Sequence, residues 1–369
     1  MRRVTAKAPW RRQGAGGSGS GPIPFFWRLG ALPCALAVIV LSCSAPATLP
    51  ELVQAESRAD AGDVEGAIAA YRQAQTACHR LRPERRAKAA CGEALLGEAE
   101  VLEHANRTQA AIETYLAIPP RTEDDPTTAS TATYRAGRLL LQSGKTVDAW
   151  TALWKVVTDW PDEPVAADAL KDLLDDGRAR DARALAEQIG KLLTPLSQTQ
   201  VADNLLWSLA DLDEHELANP AAARALYDRI PQDYPESGLR DDARWNAARI
   251  SRALGDPRGA VARLRALLAT REVAIGAGSY FSIWLDDAQL ELGKILRDDL
   301  HDPAGAVAAF RQLPKDYPAS ILRDDALYEL AVTLAQQNDH AGACAAVRDL
   351  EKLEPDSKYV PRTTELGCR

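Results

Sequence analysis

Residues 325–357 read DALYELAVTLAQQNDHAGACAAVRDLEKLEPDS, and this stretch contains the pattern that decides the fold. Apolar residues spaced at i, i+3 and i+7 lie on one face of a helix, and here they are Leu327, Leu330 and Leu334. Asn338 tolerates the left-handed conformation that ends a helix, and Asp339 is a good N-cap for a second helix. Pro355 then ends that second helix. The stretch predicts two helices joined by a tight turn.

The same pattern occurs eight times along the chain, as a turn residue followed five positions later by a small residue. The turn residues are Gly62, Asn106, Gly144, Gly177, Ala218, Gly255, His301 and Asn338. The small residues are Ala67, Ala111, Ala149, Ala182, Ala223, Ala260, Ala306 and Ala343. Successive turn residues are 33 to 46 positions apart, a period typical of stacked helical hairpins. We therefore predict an all-α fold, an α-solenoid of about eight helical hairpins over residues 51–355.

The hairpins resemble the tetratricopeptide repeat (TPR). Eight positions of its consensus are matched in the last hairpin by Leu327, Leu330, Ala331, Leu334, Ala343, Val347, Leu350 and Pro355, and six in the third by Gly137, Leu140, Ala149, Leu153, Val156 and Pro161. The fourth repeat departs from it, with only 33 residues and no terminal Pro. The first helices of the fifth and seventh repeats are expected to be one residue longer. The resemblance implies a protein-binding scaffold and no enzyme activity.

A second phrase joins successive repeats. It reads Asp-Trp-Pro at residues 159–161 and Asp-Tyr-Pro at 233–235 and 316–318. Joints of this kind resemble TPR lipoproteins of Gram-negative envelopes, such as those of the outer-membrane β-barrel assembly machine and the Tol–Pal system. They are also similar to the helical superhelix of soluble lytic transglycosylases. The resemblance implies a scaffold for envelope assembly or, alternatively, a non-catalytic subunit or regulator of peptidoglycan-cleaving enzymes.

The first residues have the character of a targeting segment. Residues 1–42 carry six Lys or Arg and no acidic residue, and they include the apolar run LGALPCALAVIVLS at 29–42. Fourteen helical residues extend only about 21 Å, less than the roughly 30 Å of a bilayer core. Ser42-Cys43 resembles the cleavage site of bacterial lipoproteins, in which the Cys is acylated. We predict a signal peptide at 1–42 and a lipidated linker at 43–50, with an unlipidated signal or an uncleaved anchor as alternatives.

These features predict a location and a class of partner. Ser44, rather than Asp, follows the Cys, which in such lipoproteins favours the outer membrane. The protein is expected to be lipid-anchored there and to face the periplasm; a soluble periplasmic protein is the alternative. The net charge of −8 argues against nucleic acid as a partner, which needs a basic footprint. The expected partners are envelope proteins, with no small-molecule substrate.

Four cysteines lie in the repeat region and the tail, as two local pairs. Cys78 and Cys91 fall on neighbouring helices of the first two repeats, while Cys344 and Cys368 fall near the C-terminus. An exported location favours disulfides, each stabilising by about 3 kcal/mol in the chain-entropy model. Unpaired buried thiols are the alternative. The tail is expected at residues 356–369.

Two groups of side chains are candidates for partner binding. The acidic pairs are Asp241, Asp242, Asp324 and Asp325. They could bind a basic partner, or they could stabilise helix N-termini. Trp150 and Trp154 are one helical turn apart, so they could form an exposed aromatic groove or belong to the core.

Nothing in the sequence has the spacing of a catalytic or zinc-binding motif, so we expect no enzyme activity, cofactor or metal. The five histidines have no suitable Cys or carboxylate pattern around them. Two long loops are predicted between repeats, at Thr122–Thr128 and Arg271–Ser279.

Overall fold

A computed structural model describes residues 49–270 and 282–368 of this chain. The described residues form fifteen α-helices: α1 (Pro50–Asp60), α2 (Val64–Ala77), α3 (Glu84–His104), α4 (Thr108–Leu116), α5 (Pro126–Gln142), α6 (Thr146–Asp159), α7 (Val165–Leu192), α8 (Ala202–His215), α9 (Pro220–Asp233), α10 (Arg240–Ala253), α11 (Pro257–Leu268), α12 (Leu285–Asp298), α13 (Pro303–Asp316), α14 (Arg323–Gln336) and α15 (His340–Leu353). Three short 3₁₀ helices, at Cys78–Arg80, Pro119–Arg121 and Val360–Leu366, complete the secondary structure of this part of the chain.

The helices stack as eight hairpins because α7 is broken in the middle. Its backbone leaves the helical region at Asp181 (φ −159°, ψ 84°), which divides α7 into two helices that form the fourth hairpin. The first helices of the eight hairpins are α1, α3, α5, the first half of α7, α8, α10, α12 and α14. Each second helix packs against the first helix of the next hairpin. The predicted all-α solenoid of eight hairpins is confirmed. Among the described helices, none is both long and apolar enough to cross a bilayer.

Seven of the eight predicted turn residues have left-handed backbone conformations. Their φ angles lie between 50° and 76°, at Gly62, Asn106, Gly144, Ala218, Gly255, His301 and Asn338. In five turns the N–H of the next residue donates to the carbonyl five residues back; in the last hairpin Asp339 N–H donates to Leu334 at 2.9 Å. Asp339 also accepts from the N–H of Gly342 at 2.9 Å, as its predicted role of N-cap requires.

The fifth and seventh hairpins carry one extra residue, as the sequence spacing predicts, but in the turn instead of the helix. α8 and α12 are 14 residues long, the same length as α10 and α14. The N–H groups of Asn219 and Asp302 instead donate to carbonyls six residues back, on Asp213 and Leu296, at 2.7 Å in both cases. A longer hydrogen-bonded turn therefore absorbs the insertion.

The fourth hairpin differs from its prediction. Gly177 is buried inside the first half of α7, and the break comes at Asp181, which caps the second half by accepting from Ala184 N–H at 3.0 Å. The register therefore moves by three residues: Leu185, and not Ala182, lies four residues after the cap. Leu185 is fully buried, whereas Ala182 is only half-buried. The other seven predicted alanines are fully buried.

Gly177 provides the space that Leu185 occupies. A Cβ atom added at Gly177 would lie 2.8 Å from Cδ2 of Leu185 and 3.0 Å from the Trp150 ring. In the other hairpins the alanine itself keeps the helix crossing close. In the fourth hairpin the small residue at the crossing is Gly177, which lies on the first helix instead of the second.

Two predictions about the connecting segments change. The first predicted long loop is shorter than expected, because Asp125 caps α5 and Pro126 is its first residue. The second predicted loop lies outside the described residues.

The C-terminal tail is described from Asp356 to Cys368, and its 3₁₀ helix packs against α14 and α15. Within it the Tyr359 ring stacks on Tyr328 of α14, with centroids 4.3 Å apart.

Candidate interaction surfaces

A series of ion pairs, which we call the arginine ladder, joins each first helix to the next from α3 to α14. In every pair an Arg of one helix contacts a carboxylate of its neighbour. The pairs are Arg135–Glu100 (3.3 Å), Arg138–Asp172 (3.6 Å), Arg178–Asp211, Arg249–Glu214, Arg252–Glu291 (2.5 Å) and Arg297–Glu329 (2.5 Å). Pairs of this kind, which are at least partly exposed to solvent, typically contribute about 1 kcal/mol or less each. Together they fix the spacing of the first helices, which form one continuous face.

The carboxylates along this face are in different environments. Burial raises the pKa of Asp211, against the opposing effect of the Arg178 guanidinium and His215. Burial also raises the pKa of Asp172, one of whose oxygens has no hydrogen-bond partner. By contrast, hydrogen bonding to Arg297 lowers the pKa of Asp298. The face is therefore electrostatically uneven from its middle to its C-terminal end.

The junction between α1 and α3 has two carboxyl groups where the later junctions have an Arg and an acid. Burial raises the pKa of Glu93, and the nearby charge of Glu56 raises it further. The contact of α1 with α3 therefore rests on apolar packing, in the cluster that contains Leu52, Ala55 and Leu95.

The joints between hairpins contain a repeated hydrogen bond. Ser237, Ser320 and Ser357 each donate to an Asp at the start of the preceding first helix. The three bonds are Ser237–Asp203 (2.5 Å), Ser320–Asp286 (2.6 Å) and Ser357–Asp324 (2.7 Å). The same hydroxyls accept from the backbone N–H two residues on, at 3.0 to 3.2 Å. The serine in each of these joints therefore links one hairpin to the next through a side-chain hydrogen bond.

The acidic pairs that we considered for partner binding are engaged within the chain. Asp242 accepts from Nε1 of Trp284 at 2.6 Å, and burial raises its pKa. Asp325 accepts from the Tyr359 hydroxyl at 2.6 Å. Asp324 accepts from Ser357, and Asp241 pairs with Arg240 at 3.0 Å. All four lie in the first turns of α10 and α14, where the N-caps are Leu239 and Leu322. Asp242, Asp324 and Asp325 therefore contact the next unit of the chain, whereas Asp241 pairs within its own hairpin. Asp324 also accepts from the N–H of Asp325 at 2.8 Å, in the first turn of its own helix.

The two tryptophans on α6 lie against the fourth hairpin. Trp154 is buried within the apolar cluster of α6 and α7. Trp150 is half-buried and donates from Nε1 to Asp176 at 2.7 Å. The structure therefore places both rings at the packing interface, in the position of the core alternative.

Both cysteine pairs form disulfides in the structure. Cys78–Cys91 joins the end of the first hairpin to α3, with Cα atoms 5.2 Å apart, and Cys344–Cys368 joins α15 to the tail, with Cα atoms 5.1 Å apart. Nδ1 of His79 lies 3.8 Å from Sγ of Cys91, and these three residues form the one convergent group of metal-ligand types among the described residues. Because both sulfurs are in the S–S bond, neither is a thiolate ligand. Cys43 lies outside the described residues.

Two grooves open between second helices, near opposite ends of the solenoid. One, of about 480 Å³, lies between α2 and α4. Arg107, just before α4, bridges to Glu65 of α2 (2.5 Å), and Arg121, in the 3₁₀ helix after α4, bridges to Gln75 of α2 (3.0 Å). The other, of about 410 Å³, lies between α13 and α15. We call the second one the α13/α15 groove.

A sequence profile of the tetratricopeptide repeat matches residues 287–320 and 325–357. Two stretches of this chain thus match the tetratricopeptide repeat in sequence. The two matched repeats are the seventh and eighth hairpins. The chain matches no curated protein.

Among solved structures, a TPR protein from Cytophaga hutchinsonii (its C-terminal part) is similar to this chain. The identity is 12%, covering 85% of this chain and 98% of the other, with a TM-score of 0.40. MamA is similar at 14% identity over 52% of this chain and 93% of its own, with a TM-score of 0.39. YrrB, a TPR protein with an unusual peptide-binding site, is similar at 12% identity over 69% and 99%, with a TM-score of 0.36. Likenesses at this level carry no argument about partners.

The arginine ladder and the hydrogen bonds of the joint serines were not predicted from the sequence. The serines have a visible signal, because Ser237, Ser320 and Ser357 each stand two residues after a proline. The arginines of the ladder are harder to recognise in the sequence, because their carboxylate partners lie 32 to 39 residues away.

Proposed function

We propose that this chain is an envelope lipoprotein whose tetratricopeptide repeats form a scaffold for other proteins. The observation that carries the proposal is the continuous first-helix face, with neighbouring helices joined from α3 to α14 by the arginine ladder. A surface held at fixed spacing presents binding groups without an ordering cost at the moment of association. The face therefore suits recognition of an extended protein segment.

The envelope location draws support from two features. The residues around Cys43 resemble a lipoprotein cleavage site, and the four cysteines after it pair as two disulfides. Disulfides persist in oxidising compartments such as the periplasm. The multiple acyl chains of such lipoproteins would meet the need for more than one membrane-binding signal.

The anchor is tested by replacing Cys43 with Ala in the cell and following the protein by membrane fractionation and metabolic labelling with an alkyne fatty acid. Loss of the label and release from the membrane are expected. Cys34→Ala is the matched control, because Cys34 lies in the same apolar run and should change neither readout. Retention of the Cys43→Ala protein in the membrane would refute lipid anchoring.

The scaffold role is tested by photo-crosslinking in cells from exposed positions on first helices. Crosslinks to β-barrel assembly or Tol–Pal components would support a role in envelope assembly. Crosslinks to wall hydrolases would favour the regulatory alternative instead. The same photo-reactive residue at Arg265, which is exposed on the second helix α11, serves as the control. Equal crosslinking from both sides would contradict recognition by the first-helix face.

A further inference from the structure

The α13/α15 groove lacks an ion pair that bridges the equivalent position between α9 and α11. Between α9 and α11, Arg263 donates to Asp228 through both Nε (2.7 Å) and Nη2 (2.5 Å) and so bridges the two helices. Counted from the helix caps, the corresponding residues of α13 and α15 are Arg311 and Ala346. An Arg and an Ala cannot form this bridge, so no ion pair crosses the α13/α15 groove at this position.

The groove has an apolar floor and small residues on one wall. Its floor is formed by Leu327, Leu330 and Leu334 of α14, the residues that define the first helix of the last hairpin. Ala345 and Ala346 of α15 leave the space of about 410 Å³ unfilled. Leu353, at the end of α15, leaves 45% of its surface exposed beside the groove. The volume lies within the range of about 300–1,000 Å³ that is usual for bound ligands.

The opposite wall carries positive charge without a partner. Arg311 and Lys315 are one helical turn apart on α13, and both are exposed. Neither makes an ion pair or hydrogen bond with the described part of the chain, although arginines elsewhere in it are mostly paired. Asp349, on α15, stands on the other side of the groove. The rim is therefore positive along α13, which complements a carboxylate.

We propose that the α13/α15 groove docks an amphipathic segment of another protein, with apolar side chains in the groove and carboxylates against Arg311 and Lys315. This surface lies between two second helices, with α14 beneath them, and the proposal does not depend on the envelope location. Buried apolar anchors would supply most of the affinity, and the charged rim would set the orientation of the segment.

The test begins with a display library of amphipathic peptides with randomised flanking residues, selected on the purified full-length protein. The selected peptides should carry at least two apolar residues at helical spacing and an Asp or Glu flank. Their dissociation constants are then measured by fluorescence anisotropy. If selection yields no peptide of this type, the proposal is overturned.

Two variants locate the binding. Arg311→Glu combined with Lys315→Glu should weaken the selected peptides by about tenfold, because two attractive charge pairs become repulsive. Arg311→Asp combined with Ala346→Arg copies the bridge between α9 and α11 and should abolish binding. Arg348→Glu is the control, because Arg348 is exposed and does not line the groove. This charge reversal should leave the affinity for the selected peptides unchanged.

Melting curves of all variants separate loss of the groove from loss of the fold. Peptides that bind the bridged variant as tightly as the original protein would overturn the proposal. So would a concentration-dependent dimer in sedimentation that the bridged variant abolishes, since the groove would then be occupied by a second copy.

Discussion

The fourth and eighth hairpins solve the same packing problem in different ways. In the eighth, Asn338 adopts φ 62° and Ala343 is fully buried at the helix crossing. In the fourth, the chain turns at Asp181 without a left-handed residue, and Leu185 is fully buried at that position. Gly177 on the facing helix makes the space. The difference teaches that the crossing fixes a summed volume of two facing residues and does not require alanine itself.

The largest expected effect comes from exchanging the residues at the two crossings. Leu185→Ala should destabilise the fourth hairpin by about 3 kcal/mol, because it leaves a cavity opposite Gly177. Ala343→Leu should destabilise the eighth by about 1–3 kcal/mol through overpacking. Hydrogen exchange resolves the two hairpins separately, because stability in a repeat protein is partly local. If Ala343→Leu left the stability of the eighth hairpin unchanged, the two helix crossings would not differ in the way described.

A second test measures the coupling between Gly177 and Leu185. Gly177→Ala alone should cost about 1–3 kcal/mol, because the new Cβ would lie 2.8 Å from Leu185 Cδ2. In the background of Leu185→Ala it should cost much less. A double-mutant cycle with a coupling energy near zero would mean that the two residues do not share one space.

The turns themselves can be compared with a matched pair of substitutions. Ala218 has φ 50°, so Ala218→Gly should relieve strain and stabilise by up to about 1 kcal/mol. Ala179 is exposed in the helix just before the break, so Ala179→Gly should destabilise by about 1 kcal/mol. Thermal melting measures both, and effects of the same sign would contradict a helical conformation up to Asp181.

The smallest expected effects depend on pH. Burial raises the pKa of Asp172 in the fourth hairpin, so its charged form is disfavoured by folding. Asp172→Asn should therefore stabilise slightly at pH 7, and the gain should vanish as pH falls toward about 4, where the unfolded carboxyl is also protonated.

Asp298 in the seventh hairpin should respond in the opposite direction. Hydrogen bonding to Arg297 lowers its pKa, so its charged form stabilises the fold above the unfolded pKa. Asp298→Asn should destabilise at pH 7 by a few tenths of a kcal/mol, since Asp298 itself is 44% exposed to solvent. This loss should disappear as pH falls through the lowered pKa. Urea titrations at pH 3, 5 and 7 measure the free energy of unfolding of both variants. The same pH dependence in the two variants would contradict the opposite pKa shifts of Asp172 and Asp298.

The sequence was sufficient to predict the hairpins because each turn has a local chemical requirement. Gly and Asn adopt the left-handed conformation readily, and a buried alanine follows at a fixed distance. Ala218 was placed by spacing alone, because alanine rarely adopts a positive φ. The fourth hairpin was misplaced because Gly177 has the residue type of a turn and the role of a space in the core. Asp181 could have indicated the correct turn, because Asp is a favoured N-cap residue and its side chain accepts from the N–H of Ala184.

The surfaces were harder to predict for a physical reason. The arginine ladder joins residues from different hairpins, and which ones meet depends on how far each hairpin is displaced from the last. Asp242 and Asp325 have the residue type of helix caps, yet Trp284 and Tyr359 reach them from the next unit. Contacts of this kind follow from stacking geometry, which a single repeat does not contain.

The arginine ladder has a mechanical consequence. Most of its guanidinium and carboxylate groups are partly exposed, so dissolved ions reach them. The distance over which charges interact falls from about 8 Å at physiological ionic strength to about 3 Å at 1 M salt. Apolar packing between the hairpins does not weaken in this way. The solenoid should therefore stretch and bend more easily in concentrated salt, with the added compliance confined to the edge where the first helices meet.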